Sequence, residues 1–320
     1  MSVLSDDKII NSMIYFLYGD NDFLIDQRVN ELRDDFIKKH GADCVSTIDL
    51  TKTDVDAAMA RLTGISFLMP QQFIIVPAAT SNTEFWTNLE TNLEQIPDST
   101  DVVMTDVRTI ATVKSVSVTK TFKKLRSIGA KLEKLTVLKP YEVKRWLTAE
   151  IKRRQLQADA ATTDKLITYT AGEDNQQARL SIELDKLSLI DKRLDVSMVE
   201  KYVAPSLKTN AFNVLNSLLS GDSNKATKLI RELRNAGEDA NRFIGLLASQ
   251  EQALAVAATG ANVKINSYQL RLAQDFVRQT PDIKQKLHKL ARILAELDLK
   301  IKQSKPENHW LIIEASLNQL

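Results

Sequence analysis

Residues 64–76 read GISFLMPQQFIIV, and this stretch orders the first part of the chain. Phe73-Ile74-Ile75-Val76 is a continuous apolar run, as in a strand of a parallel sheet buried on both faces. Ahead of it, Ile65, Phe67, Leu68 and Met69 stand between two breakers, Gly64 and Pro70. Gly64 suits the position just past a helix end, because glycine takes positive φ without steric cost. Pro70 lacks an N–H donor and blocks a continuing helix. The cluster is too short for an element of its own, so it is expected at a surface corner between a helix and an inner strand. Two readings are open. Either the four side chains tuck back under the sheet, or they stand out as an apolar wedge, the mark of a protein-binding site.

Working outward, MIYFLYG at 13–19 reads as a buried strand, and Asp20-Asn21-Asp22 supplies turn and N-cap chemistry. Phe23, Leu24, Val29, Leu32, Phe36 and Ile37 recur at helical spacing up to Gly41. Val45–Leu50 is expected as a strand, Asp54 as the cap of a helix, Thr83–Leu93 as a helix and Asp101–Asp106 as a fourth strand. Lys120–Ser127 reads as a helix closed by Gly129, and Lys131–Leu138 as a fifth strand. This alternation predicts an α/β layer with a mostly parallel sheet. After Pro140 the strand signals stop. Val143, Trp146, Leu147 and Ile151 share one helical face, and further helices are expected to the end of the chain. Pro281 and Pro306 suit first-turn positions. Pro205 marks a boundary, so the expected division is 1–139, 140–205 and 206–320.

The 320 residues, 43% hydrophobic, are enough for two or three cores. One cysteine, Cys44, excludes an internal disulfide framework and suits a reducing cytoplasm. No signal peptide is evident at the N-terminus, and no apolar run approaches the roughly 18 residues that suggest a membrane span. Net charge is +2 but unevenly spread. Residues 1–113 hold eight Lys/Arg against 18 Asp/Glu, whereas 114–154 hold 13 against three. The basic segment carries Lys123, Lys124, Arg126, Lys152, Arg153 and Arg154. It is either a solvated face or a contact for an anionic partner such as DNA phosphate, and Lys/Arg density alone does not separate the two. Few aromatics surround it, which disfavours a base-stacking platform.

Catalytic patterns are largely missing. A phosphate-binding loop between the first strand and helix would need several glycines and a Lys-Ser/Thr. Gly19-Asp20-Asn21-Asp22 offers one glycine, no lysine and two carboxylates that would repel a triphosphate. Asp106 ends the fourth strand where a magnesium-holding acid could stand, but no second acid follows, so it reads as a strand-end cap. His40, His288 and His309 are isolated, and no metal site or cofactor is expected.

In this setting the chain resembles the delta-subunit family of the bacterial DNA polymerase III clamp loader. Tyr15–Asp20 with Phe23-Leu24-Ile25 is similar to that family's opening strand and degenerate nucleotide loop. Ser66-Phe67-Leu68, followed by Gln72 and the apolar strand, resembles its clamp-binding element. Gly172-Glu173-Asp174 through Ser181–Leu187 resembles its lid. Leu218–Asp222 through Ala226, Leu229 and Leu233 to Gly237 resembles its collar, and Glu296–Lys300 its near-terminal helix. The resemblance implies an AAA+-like α/β domain without a functional P-loop, then an all-α part made of a helical lid and a helical collar for oligomerisation. It implies a subunit that binds the beta sliding clamp and holds one ring interface open. Implied partners are ATPase subunits of the tau/gamma type, a delta-prime subunit and, weakly, primed DNA. Ile65, Phe67, Leu68 and Met69 would form the wedge. Phe67 and Leu68 match its paired anchors in reversed order, since leucine commonly precedes the aromatic. The alternatives are an active AAA+ ATPase with an unusual loop, or a DNA-binding regulator using 114–154.

Overall fold

A computed structural model describes residues 13–66, 69–107, 116, 118–172, 175–263, 265 and 267–319. The chain divides into two compact units, Met1–Leu138 and Lys139–Leu320.

The first unit alternates strand and helix: β1 (Ile14–Gly19), α1 (Asp22–His40), β2 (Val45–Thr47), α2 (Val55–Thr63), β3 (Gln72–Val76), α3 (Thr83–Asn92), β4 (Thr100–Val107), α4 (Lys120–Ser127) and β5 (Lys131–Lys134). The strands form one sheet in the order β2-β3-β4-β1-β5, and every neighbouring pair is parallel. Successive side chains of β1 serve opposite faces, as strand geometry requires. Ile14 and Phe16 pack with Leu62, Phe85, Leu89 and Phe122 from α2, α3 and α4, while Tyr15 and Leu17 pack with Ile25 and Phe36 of α1. Both faces are therefore covered, which explains the unbroken apolar runs of β1, β3 and β4.

Two strands are shorter than expected. β2 stops at Thr47 because the chain turns at Asp49, whose Oδ1 accepts the Thr51 N–H at 3.0 Å and its hydroxyl at 2.6 Å. β5 stops at Lys134, after which Leu135–Val137 engages the end of β1. Gly64 also departs from expectation. It follows α2 with φ −76° and ψ 142°, not in the left-handed region. Glycine is needed there for closeness instead, since a Cβ would lie 2.6 Å from the Ala60 carbonyl oxygen.

The second unit is helical: α5 (Pro140–Arg153), α6 (Ala160–Tyr169), α7 (Gln176–Ser188), α8 (Val196–Tyr202), α9 (Leu207–Leu219), α10 (Ser223–Asn235), α11 (Ala240–Thr259), α12 (Ser267–Gln279), α13 (Ile283–Lys302) and α14 (His309–Leu317). Contrary to expectation it holds two strands, β6 (Gln157–Ala158) and β7 (Arg193–Leu194), paired in parallel. Pro281 is not in a first turn: α13 starts at Ile283, after Asp282 with φ 53°. Pro306 does open a turn, the 3-10 segment Pro306–Asn308 that runs into α14. Helix α9 begins at Leu207, where the Ser206 hydroxyl caps it by accepting the Thr209 N–H at 3.2 Å. On α5, Val143, Leu147 and Ile151 are buried and Trp146 is half-buried.

One core joins α9 to α14 through Leu215, Phe243, Leu247, Leu290, Leu297 and Ile313. Around α5 and α7, ion pairs accompany the buried Leu147, Ile151, Leu180 and Leu184. Glu150, nearly buried, pairs with Arg153 at 2.7 Å and with Arg154. Arg154 reaches across to α7, donating to Asp185 at 2.8 Å and to the Ser181 hydroxyl at 2.6 Å.

Candidate functional site

Helix α2 delivers the chain to the apolar corner. Asp54 caps it by accepting the N–H groups of Asp56 and Ala57, and Val55, Ala58, Met59 and Leu62 bury its inner face. Past Gly64 the burial stops: Ile65 is 70% exposed and Met69 36% exposed. The Ser66 hydroxyl accepts the Met69 N–H at 3.1 Å. Phe67 and Leu68, the two anchors expected from the sequence, lie outside the described residues. A depression of about 320 Å³ opens beside the corner, lined in part by Arg61, Gly64, Ile65, Met69, Gln72 and Ile74. Ile65 and Met69 are brought to the same rim, facing solvent.

The turn after β1 is arranged differently from a phosphate cradle. The Asn21 N–H donates to the Leu135 carbonyl at 3.3 Å. The Leu24 N–H is taken by Asn21 Oδ1 at 3.1 Å, and the Phe23 N–H by Asp22 Oδ1 at 2.7 Å. Backbone donors that would meet a phosphate at a helix start are thus engaged by the protein itself. Gly19, at φ 151°, leaves no room for a side chain, since a Cβ would stand 1.8 Å from the Leu135 carbonyl oxygen. The local field is negative as well: burial, and then the nearby Asp22 carboxylate, push the Asp26 carboxyl above its ordinary range. An anion would gain little here and would be repelled.

Asp106, at the C-terminal end of β4, is buried and accepts the Thr80 hydroxyl, joining β4 to the chain that follows β3. No group of three or more potential metal ligands exists among the described residues.

The basic residues do not act as one set. Lys124 pairs with Glu94, Arg126 lies over the Phe122 ring at 5.4 Å, and Arg153 and Arg154 serve the Glu150 pairing. Lys123 and Lys152 are exposed and have no ion-pair partner among the described residues. Pattern reading missed two features of the site. The Ser66–Met69 hydrogen bond had a signal, a serine three residues before Met69. The Leu135–Val137 engagement had none, because it joins segments more than a hundred residues apart.

Comparison with known proteins agrees with this layout. Residues 15–131 match the family model described as DNA polymerase III, delta subunit. The DNA polymerase III subunit delta of Bacillus subtilis (strain 168) is 21% identical over 331 residues, covering 96% of this chain and 92% of the relative. Among solved structures, the Bacillus subtilis DNA clamp loader delta protein superposes with a TM-score of 0.59 at 18% identity, covering 96% of this chain and 94% of that one. The parallel sheet flanked by helices and followed by helical segments is the α/β-then-helical fold that the resemblance implied, shared with that delta protein. Residues 15–131 are thus similar to the DNA polymerase III delta subunit family, and the likeness to the Bacillus subtilis delta subunit runs along nearly the whole chain.

Proposed function

We propose that this chain is a clamp-loader subunit of the DNA polymerase III holoenzyme that binds the beta sliding clamp through the corner Gly64–Pro70 and holds one ring interface open. The observation that carries this reading is the exposure of Ile65, 70%, on the element whose sequence resembles the family's clamp-binding wedge. An aliphatic anchor seated in a partner pocket contributes roughly 1.5–3 kcal/mol. Phe67 and Leu68 as paired anchors, with Ile65 and Met69 beside them, would supply much of the roughly 8 kcal/mol of a micromolar complex. Affinity alone does not open a ring, because a ligand shifts an equilibrium only by its differential binding to the two states. The corner would therefore fit the sprung form of the clamp interface better than the closed one.

The chain itself is not expected to bind or hydrolyse ATP. Support comes from the internally engaged N–H groups of the turn after β1 and from its carboxylates. In this reading ATP hydrolysis belongs to partner subunits of the tau/gamma type, and a delta-prime subunit completes the hetero-oligomer in the cytoplasm. The three-part division 1–139, 140–205 and 206–320 goes with it, as α/β base, lid and collar. Primed DNA would be a weak, sequence-independent partner reached through residues such as Lys123 and Lys152. The test is a clamp pull-down with Phe67→Ala plus Leu68→Ala. Binding should be lost while the circular dichroism spectrum and melting curve stay those of the parent; unchanged affinity removes the proposal.

A further inference from the structure

The turn Gly19–Asp22 holds a piece of its own chain. Four hydrogen bonds join the end of β1 and this turn to Leu135–Val137. The Leu135 N–H donates to the Tyr18 carbonyl at 2.8 Å, and the Asn21 N–H donates back to the Leu135 carbonyl at 3.3 Å. Asn21 Nδ2 donates to the Thr136 carbonyl at 3.5 Å, and the Val137 N–H donates to Asp20 Oδ1 at 2.8 Å. The second unit begins at Lys139, two positions further along the chain.

We propose that Asp20 and Asn21 are a latch: they fix the strap Leu135–Val137, the lead into the second unit, to the end of β1 with no nucleotide required. Three observations carry this. The strap approaches so closely that only glycine fits at position 19. The Asp20 carboxylate accepts a strap N–H, which is what a bound anion would otherwise do for a loop. Asn21 is buried and couples two tasks, since its Oδ1 caps α1 while its Nδ2 holds the strap. The consequence is a strap whose state is a constant of the sequence, insensitive to nucleotide. This concerns the lead into the second unit, so it goes beyond the clamp-binding proposal and stands apart from it.

Residue-resolved amide exchange on the full chain tests it. Asp20→Ala should speed exchange at Val137 about five- to tenfold, the effect of one lost hydrogen bond, with the amides of β1 unchanged. Asp20→Asn keeps an acceptor oxygen and should restore most of the protection. Saturating ATP should change none of these rates. Equal Val137 exchange in parent and Asp20→Ala would overturn the latch. So would an Asp20→Ala variant in which β1 is released as much as the strap, because that is general unfolding. Clamp affinity plays no part in the readout.

Discussion

Truncating Ile65 to alanine separates the two readings of the corner, because a wedge and a tucked core residue respond oppositely. The change removes three carbon groups, worth at most about 2.4 kcal/mol if all are buried at ~0.8 kcal/mol each. In the free chain Ile65 is 70% exposed. The share still open to a partner is therefore about 1.7 kcal/mol, and the share already covered by the fold about 0.7 kcal/mol. Ile65→Ala should weaken clamp binding by up to about 15–20-fold, since every 1.4 kcal/mol is tenfold. The melting temperature should fall by less than about 3 °C for a unit of this size. Titration of the purified clamp, followed by fluorescence anisotropy, gives the first number, and a thermal melt gives the second. A melting temperature lowered by roughly 10 °C with unchanged affinity would refute the reasoning, because the side chain would then belong to the core.

Equilibrium titration of the isolated chain with ATP should show no saturable binding up to millimolar concentration; a saturable site would overturn the proposed absence of nucleotide chemistry. Arg154→Ala should lower the stability of the second unit by about 2 kcal/mol in denaturant unfolding, because Glu150 stays buried with Arg153 as its remaining cation in this pairing. Lys123→Glu with Lys152→Glu should reduce low-salt DNA association and flatten its salt dependence, read by electrophoretic shift over a salt series. Asp101 offers a pH test, since burial raises its carboxyl above 3.8 against the opposing Met13 N–H hydrogen bond. The folded state then holds its proton longer than the unfolded state, so this group costs stability as pH rises through that window. Asp101→Asn should gain on the parent as pH rises above the ordinary carboxylate range, measured by denaturant unfolding at several pH values, and a difference constant from acid pH upward would discount the effect.

Much of the α/β unit was legible because each clue was local and periodic. The apolar runs of β1, β3 and β4 and the cap residues Asn21 and Asp54 lie next to the elements they specify. Strand ends were less legible, since β2 is cut by the Asp49–Thr51 turn and β5 by the strap. β6 and β7 are two residues each and carry no period to read; they exist because Gln157 and Lys192 meet in space, with a hydrogen bond of 2.8 Å. At the site, the absence of a glycine-rich loop was plain in the sequence. The partner of the turn after β1 was not, because Leu135 is remote from Asn21 in the chain. The division of the basic residues was equally hidden: Glu150 and Asp185 turn Arg154 inward, and charge counts do not record partners.

The short outer strands of the sheet bear on a hazard the apolar corner creates. A protein that keeps Ile65 in water invites sticking, and a long open strand nearby would turn brief contacts into permanent cross-chain sheets. β2, next to β3, offers a stranger three rungs before the chain swings away at Asp49. The opposite margin, Lys131-Leu132-Glu133-Lys134, is studded with charge. Ser46 of β2 lines the same depression as Ile65 and Met69, so the shortness of this edge, not its distance, limits templating beside the corner.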